Sequence, residues 1–257
     1  GKTDEAYWKP LFEGFKPIRE WHANNVPDVN IIVFNDHATS YSLNNYSTFT
    51  IGVGECFKPA DEGWGPRQVP DMTGHPELAW HMVESLMAEE FDMAVVADVD
   101  LDHGFTVPLS IAYDQPDTWP TAVVPVCVNV IQHPLPTAMR CYKQGQAIGR
   151  AIASFPDDIS VGIWGTGGLS HQLGGERAGV VNPEFDKAFL DNLTADPLAN
   201  AKLTHTDFIR DAGCEGIEMI MWNVMRGALN DKVKEVYRFY HIPVSATAYG
   251  AIILENA

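Results

Sequence analysis

Four apolar runs that each stop abruptly at polar residues constrain this chain most: Val29–Phe34, Met93–Ala97, Thr121–Ile131 and Ile159–Trp164. They are rich in Val, Ile and Ala, and such runs read as strands of a sheet covered on both faces. Helical stretches lie between them. From Glu77 to Glu90, residues Leu78, Trp80, His81, Val83, Leu86 and Met87 fall at helical spacing, and Thr137 caps a second helix reaching Ser154. Strands alternating with helices predict an α/β fold, with a central mixed, largely parallel sheet flanked by helices. The 257 residues suffice for one such domain.

The remaining stretches fit around that frame. Trp8 through Trp21 reads as a helix interrupted near Pro17, with no strand before it. Phe49–Gly54 is a further apolar piece. Residues 56–76 are rich in Pro and Gly and read as a long loop, which Phe57, Trp64 and Arg67 mark as packed. Pro183 to Arg226 reads as mostly helical, and Val236–His241 and Thr247–Leu254 as two closing strands.

The formal net charge of -17 argues against a nucleic-acid or anionic-membrane partner and leaves room for a small anionic substrate at a local site. No apolar run is long enough to span a bilayer. Cys56, Cys127, Cys141 and Cys214 form no C-x-x-C pair, so no thiolate zinc motif is present. They are expected to be free and mostly buried, in a cytoplasmic protein.

The candidate chemistry sits where the apolar runs stop. The first ends in Asn35-Asp36-His37, the second leads to Asp98, Asp100, Asp102 and His103, and the last to Gly165-Thr-Gly-Gly-Leu-Ser-His171. In open α/β sheets, ligands bind beyond the carboxyl ends of strands. Asn and Asp also favour caps and turns, so each end has a plain structural use as well. Glu218 lies inside the apolar run Ile217–Met225. A carboxylate there costs several kcal/mol unless it is paired with an arginine or bound to a metal. Two histidines and one carboxylate would suit a non-haem Fe(II) oxygenase or, with zinc, a hydrolase. Spacing alone does not select which of the nine histidines meet.

Several motifs together carry a resemblance: Asn35-Asp-His-Ala38, the loop Phe57-Lys-Pro-Ala-Asp-Glu-Gly-Trp-Gly-Pro-Arg67, Asp102-His-Gly104, Gly165-Thr-Gly-Gly-Leu-Ser-His-Gln172, Glu215-Gly-Ile-Glu218 and Tyr240-His-Ile-Pro243. In this order the chain resembles the class III extradiol ring-cleaving dioxygenases over nearly its whole length, in particular protocatechuate 4,5-dioxygenase β subunits. Gallate and methylgallate dioxygenases are close relatives of these.

The resemblance implies a single catalytic domain over residues 1–257, holding ferrous iron, Fe(2+), through His37 and Glu218. The first histidine ligand would lie on an opening strand upstream of Gly1. The resemblance further implies His171 as the acid/base residue, His103 as a hydrogen-bond donor to activated oxygen, and Ser245 as a contact of the substrate carboxylate. Asn35 is a candidate pocket residue. The expected reaction inserts both atoms of O2 into protocatechuate to give a carboxymuconate semialdehyde, with gallate or methylgallate as the alternative substrate. A small α subunit in an α2β2 complex is the implied partner, through the aromatic N-terminal region and the 56–76 loop. A non-catalytic partner protein of the same fold is the reading from another class.

Overall fold

All six residues of Val29–Phe34 (β1) are buried in the computed structural model, which describes residues 3–243 and 245–257. This strand lies between two parallel neighbours, Ala122–Val128 (β6) and Val161–Gly165 (β7), which explains a sequence with no polar alternation. Beyond β6 lie Phe49–Gly52 (β2) and Ala94–Val96 (β5), giving the order β5-β2-β6-β1-β7. Only the β2–β6 pair is antiparallel, so the sheet is mixed and largely parallel as predicted. Pro125 is tolerated in the middle of β6 for a local reason. Asn129 N–H donates to Thr48 O, which puts the odd-numbered residues of β6 toward β2, and the β2 ladder ends at Val126. The missing N–H of Pro125 therefore falls past the last rung.

The direction of β5 differs from the expectation. It runs parallel to β2 and so opposite to β1. Its carboxyl end lies at the other edge of the sheet from Asn35–His37, and the chain crosses back through Val99–Leu101 before reaching Asp102 and His103. Those two residues open the helix His103–Tyr113 (α3), which is not expected from the sequence. Asp102 is its N-cap, accepting from Gly104 N–H at 3.0 Å.

The helices Pro76–Ala88 (α2) and Ala138–Ser154 (α4) lie near their expected bounds. The segment 183–228 forms Pro183–Ala195 (α5), Pro197–Ala201 (α6), His205–Ala212 (α7), a 3-10 turn at Glu215–Met219 and Ile220–Ala228 (α8). The expected strand from Thr121 to Ile131 stops at Val128, because Asn129 Oδ1 accepts Gln132 N–H at 3.0 Å and closes a turn. Within the loop, Cys56–Phe57 (β3) and Met72–Thr73 (β4) pair antiparallel. Val233–His241 (β8) and Tyr249–Asn256 (β9) form a separate antiparallel pair.

Helix Lys9–Asn24 (α1) is continuous through Pro17, contrary to the expected break. Its buried face, Leu11, Phe15, Ile18 and His22, spans both sides of the proline, and packing against Ala112 and Ile253 holds the helix together across it. Of the N-terminal aromatics, Phe15 is buried and meets Phe239 edge-on at 5.6 Å, while Tyr7 remains exposed. All four cysteines are free as expected, but only Cys127 and Cys141 are buried, while Cys56 and Cys214 are exposed. No helix among the described residues is long and apolar enough to cross a membrane.

His22 is 7% exposed and stacks on Trp164 at 4.9 Å. Burial pushes its imidazole down to about 4. The unfolded chain, with a histidine near its ordinary value, takes up a proton between about pH 6.5 and 4 that the folded chain refuses. Stability is therefore complete above that window and falls as pH drops through it, by about 3 kcal/mol at its lower end. Urea titrations at about pH 7 and about pH 4 should show this loss, and His22→Phe should remove most of it.

Candidate active site

Three parallel strands, β6, β1 and β7, end at the same edge of the sheet, and a cleft of about 1410 Å³ opens there. His37, just past β1, is the central side chain. Its backbone N–H and its Nδ1–H both donate to Asp102 Oδ2, at 2.7 and 2.8 Å, since a buried carboxylate at that position can only accept. This fixes the ring and aims Nε2 into the cleft. Glu218 Oε1 lies 3.4 Å from that Nε2. The Asn35 amide nitrogen lies 3.3 Å from the same atom. Asp36 instead shapes the turn, accepting from the backbone N–H groups of Thr39, Ser40 and Tyr41.

Glu218 reaches the site because the 3-10 turn Glu215–Met219 tucks under the loop after β7. Gly168 N–H donates to Glu218 Oε2 at 2.9 Å. Gly167 makes this approach: its φ is +101°, and a Cβ there would lie 2.7 Å from the Glu218 Cβ. The arginine partner that the sequence left open is not the one found; His37 faces the carboxylate. Glu215 does not cap its own turn and accepts from Leu173 N–H at 3.1 Å. Burial pushes the Glu218 carboxyl up, but hydrogen bonding to His37, the nearby His171 and the Gly168 N–H outweigh it and hold it below the usual carboxylate range. For His37, burial opposes the proton, yet Asp102 and Glu218 draw the imidazole up to about 10.

The donor set fits a divalent cation. An imidazole nitrogen and a buried carboxylate oxygen converge on one point, and no Lys or Arg lines the cleft among the described residues. Asp102 completes the pattern as a carboxylate behind the candidate ligand His37. His37, Asp102 and His103 also carry ligand atoms within 4.8 Å of one another. Asp102 is a weaker ligand than Glu218 because both its oxygens already accept hydrogen bonds, from His37 and from Gly104.

His171 is buried, and its Nδ1 lies 2.7 Å from Leu169 O. A carbonyl only accepts, so Nδ1 carries the proton and neutral His171 keeps a lone pair on Nε2. Its backbone is pinned by Ala212 O at 2.7 Å and by a bridge to Thr247. Behind it, buried Asp186 accepts from Ser170 N–H, Ser170 Oγ–H and Tyr240 O–H at 2.8, 2.6 and 2.8 Å. His103 stacks on His37 with ring centroids 4.0 Å apart.

Thus His37, Glu218, Asn35, His103 and His171 all border one cleft. Ser245 does not line it; its hydroxyl lies 3.4 Å from Thr247 O, and Thr247 borders the cleft in its place. His133, which the sequence left unassigned, is also at the cleft, whereas His75 caps α2 and His81 bonds Ala151 O. Sequence reasoning missed Asp102 and Asp186 as site supports. Asp102 carried one signal, its place immediately before His103; Asp186 carried none.

Comparisons with known proteins agree with this architecture. The family described as the catalytic LigB subunit of aromatic ring-opening dioxygenase matches residues 1–250. A gallate dioxygenase of Pseudomonas putida is 47% identical over 197 residues, covering 77% of this chain and 58% of that protein. A 2,3-dihydroxyphenylpropionate/2,3-dihydroxicinnamic acid 1,2-dioxygenase of Photorhabdus laumondii is 29% identical over 191 residues, covering 74% and 57%. The chain thus spans less than two thirds of the length of these curated relatives. The crystal structure of an uncharacterized protein from Escherichia coli K12 superposes with a TM-score of 0.61 at 14% identity, covering 91% of each chain, and shares the fold.

Asp102→Asn should weaken divalent-metal binding by about 10- to 100-fold while the chain stays folded, because the amide no longer accepts both His37 N–H groups without conflict. Isothermal titration of wild type and variant, with circular dichroism as the folding control, checks this.

Proposed function

Because the chain belongs to the family of catalytic LigB subunits of aromatic ring-opening dioxygenases, we propose that it is the iron-bearing part of an extradiol dioxygenase that cleaves a catechol-type aromatic acid. The observation that carries this reading is the 3.4 Å approach of His37 Nε2 to the buried Glu218 carboxylate, at the edge of a cleft that His171 and His103 also enter. His37 and Glu218 would hold the ferrous ion. The third ligand implied by the resemblance is a histidine on a strand outside these residues. The free edges of β7 and β9 both border the cleft, which supports an extended segment running between them toward Glu218. Bound iron supplies a Lewis acid for the two ring oxygens and an electron path between ring and O2.

The protein's own residues do the rest. His171, with its proton locked on Nδ1, presents Nε2 to take a ring hydroxyl proton and to return it later. His103 would meet negative charge that develops on oxygen through Nε2, which donates a hydrogen bond there once it carries a hydrogen as well as Nδ1. Both atoms of O2 end in the opened product, one on each cleaved carbon, so no outside reductant is needed; protocatechuate would give a semialdehyde acid, and gallate, with a hydroxyl on each cleaved carbon, a further carboxyl group in place of the aldehyde. With no Lys or Arg on the cleft wall among the described residues, the substrate carboxylate would be met by donors such as Thr247, Asn35 or His133. Ser245 serves only if its turn rearranges.

The motifs resemble protocatechuate enzymes, while the 47% identical relative is a gallate dioxygenase. These substrates differ by one ring hydroxyl, and the relative favours gallate. A small partner subunit remains part of the reading. Trp64, 88% exposed on the 56–76 loop, and Leu43, 79% exposed, are the surfaces that favour it.

The full-length protein, loaded anaerobically with Fe(II) and then exposed to air, should consume O2 and open the ring of gallate or protocatechuate. The ratio of the two kcat/KM values assigns the substrate, and failure to bind iron or cleave either one overturns the reading. His171→Ala should keep iron and lose at least about 100-fold in turnover. Glu218→Ala should lose the iron itself, read by metal analysis after desalting; retained stoichiometric iron would refute the ligand assignment.

A further inference from the structure

Glu62 sits on the 56–76 loop, 41 residues from His103 in sequence, yet its carboxylate grips His103 at two points. Its Oε1 accepts the His103 backbone N–H at 2.9 Å, and its Oε2 lies 2.6 Å from His103 Nδ1. An ionised carboxylate only accepts, so Nδ1 carries a hydrogen and Nε2 is on the opposite edge of the ring. The loop is built to hold Glu62 there. Ala60 N–H donates to Leu101 O at 2.9 Å and Leu101 N–H to Lys58 O at 2.8 Å, stitching the loop to the segment that leads into His103. Asp61 Oδ1 then accepts from Gly63 and Gly65 N–H at 2.9 and 2.8 Å, folding the tip back. The Glu62 side chain is only 16% exposed in spite of its place on a surface loop.

We propose that Glu62 is the positioning residue of His103: it fixes the ring's orientation, keeps it stacked on His37, and leaves Nε2 as the nitrogen available to the cleft. The kinetic consequence rests on the ring-cleavage reading; the orientation of the ring does not. A plainer role competes with it. His103 is the first residue of α3, and a carboxylate at a helix start caps free N–H groups and favours the helix dipole. Two variants separate the roles. Glu62→Gln keeps an oxygen for the backbone N–H, but its amide group cannot accept from Nδ1–H at the same time. Glu62→Asp keeps the charge at the helix start on a stem one methylene shorter, which cannot span both contacts.

The experiment is nitrogen NMR of the full-length, metal-free protein with 15N-labelled histidine, the His103 signals being assigned by their loss in His103→Ala. Wild type should show His103 protonated at Nδ1. Both Glu62 variants should lose that fixed Nδ1–H signature, the ring signals moving to exchange averages, with thermal midpoints close to wild type. In the iron-loaded enzyme, both variants should lower kcat/KM for O2 by about tenfold or more, with the KM for the aromatic acid changed by less than about twofold. Unchanged ring signals and wild-type O2 kinetics in Glu62→Gln would overturn the proposal, leaving the capping role. If iron-loaded wild type opens no catecholic ring, the functional reading falls, and the NMR arm still decides the role of Glu62.

Discussion

A carboxylate held inside an apolar turn has to be answered by positive charge, and here the answer is the imidazole of His37. Glu218 is carried inward just ahead of α8, which packs against β7 and α4, and among the described residues no arginine or lysine lines the cleft beside it. The pair is asymmetric. Behind His37 stands Asp102, behind Glu218 stands the Gly168 N–H. Two carboxylates around one ring draw a proton onto it strongly, so the site as built carries a standing demand for a cation. A divalent ion that bonded both donors at once would meet that demand and relieve the burial cost of Glu218.

The rest of the architecture can be read as support for that encounter. Three parallel strands deliver His37, the glycine loop and the His133 segment to one edge. The glycine at 167 lets a carboxylate come within reach of backbone that any larger residue would block. His171 owes its tautomer to Leu169 O and its backbone position to the Asp186, Ser170 and Tyr240 network. His103 depends on Asp102 from one side, as the cap of its helix, and on Glu62 from the other. His37, His171 and His103 are thus each held at Nδ1 by a different oxygen acceptor, which decides which ring nitrogen is left to face the cleft.

The strands of the sheet, the two long helices and the cleft histidines were legible because burial on both faces leaves a continuous apolar run, and because polar residues at its end have few structural uses. Helix α3 was not legible. It follows an acidic stretch and contains Pro108, and its cap, Asp102, reads equally as a turn residue. The course of α1 through Pro17 was misread for the opposite reason. Local propensity favours a break, and packing of Phe15 and Ile18 on either side prevails. Ser245 was placed by motif, whereas the turn it occupies brings Thr247 to the cleft.

By itself, the sequence determined the fold class, the family and the residue types that meet at the cleft, since these follow from apolar periodicity and from motifs kept in order. Only the tertiary structure decided which acidic groups serve which histidine. Asp102 lies 65 residues from His37 and Glu62 lies 41 from His103, and β5, whose end pointed toward the site on paper, runs the other way. Hydrogen bonds of this kind depend on distances of a few ångströms between segments brought together by sheet order and strand direction, and neither quantity is written in local spacing.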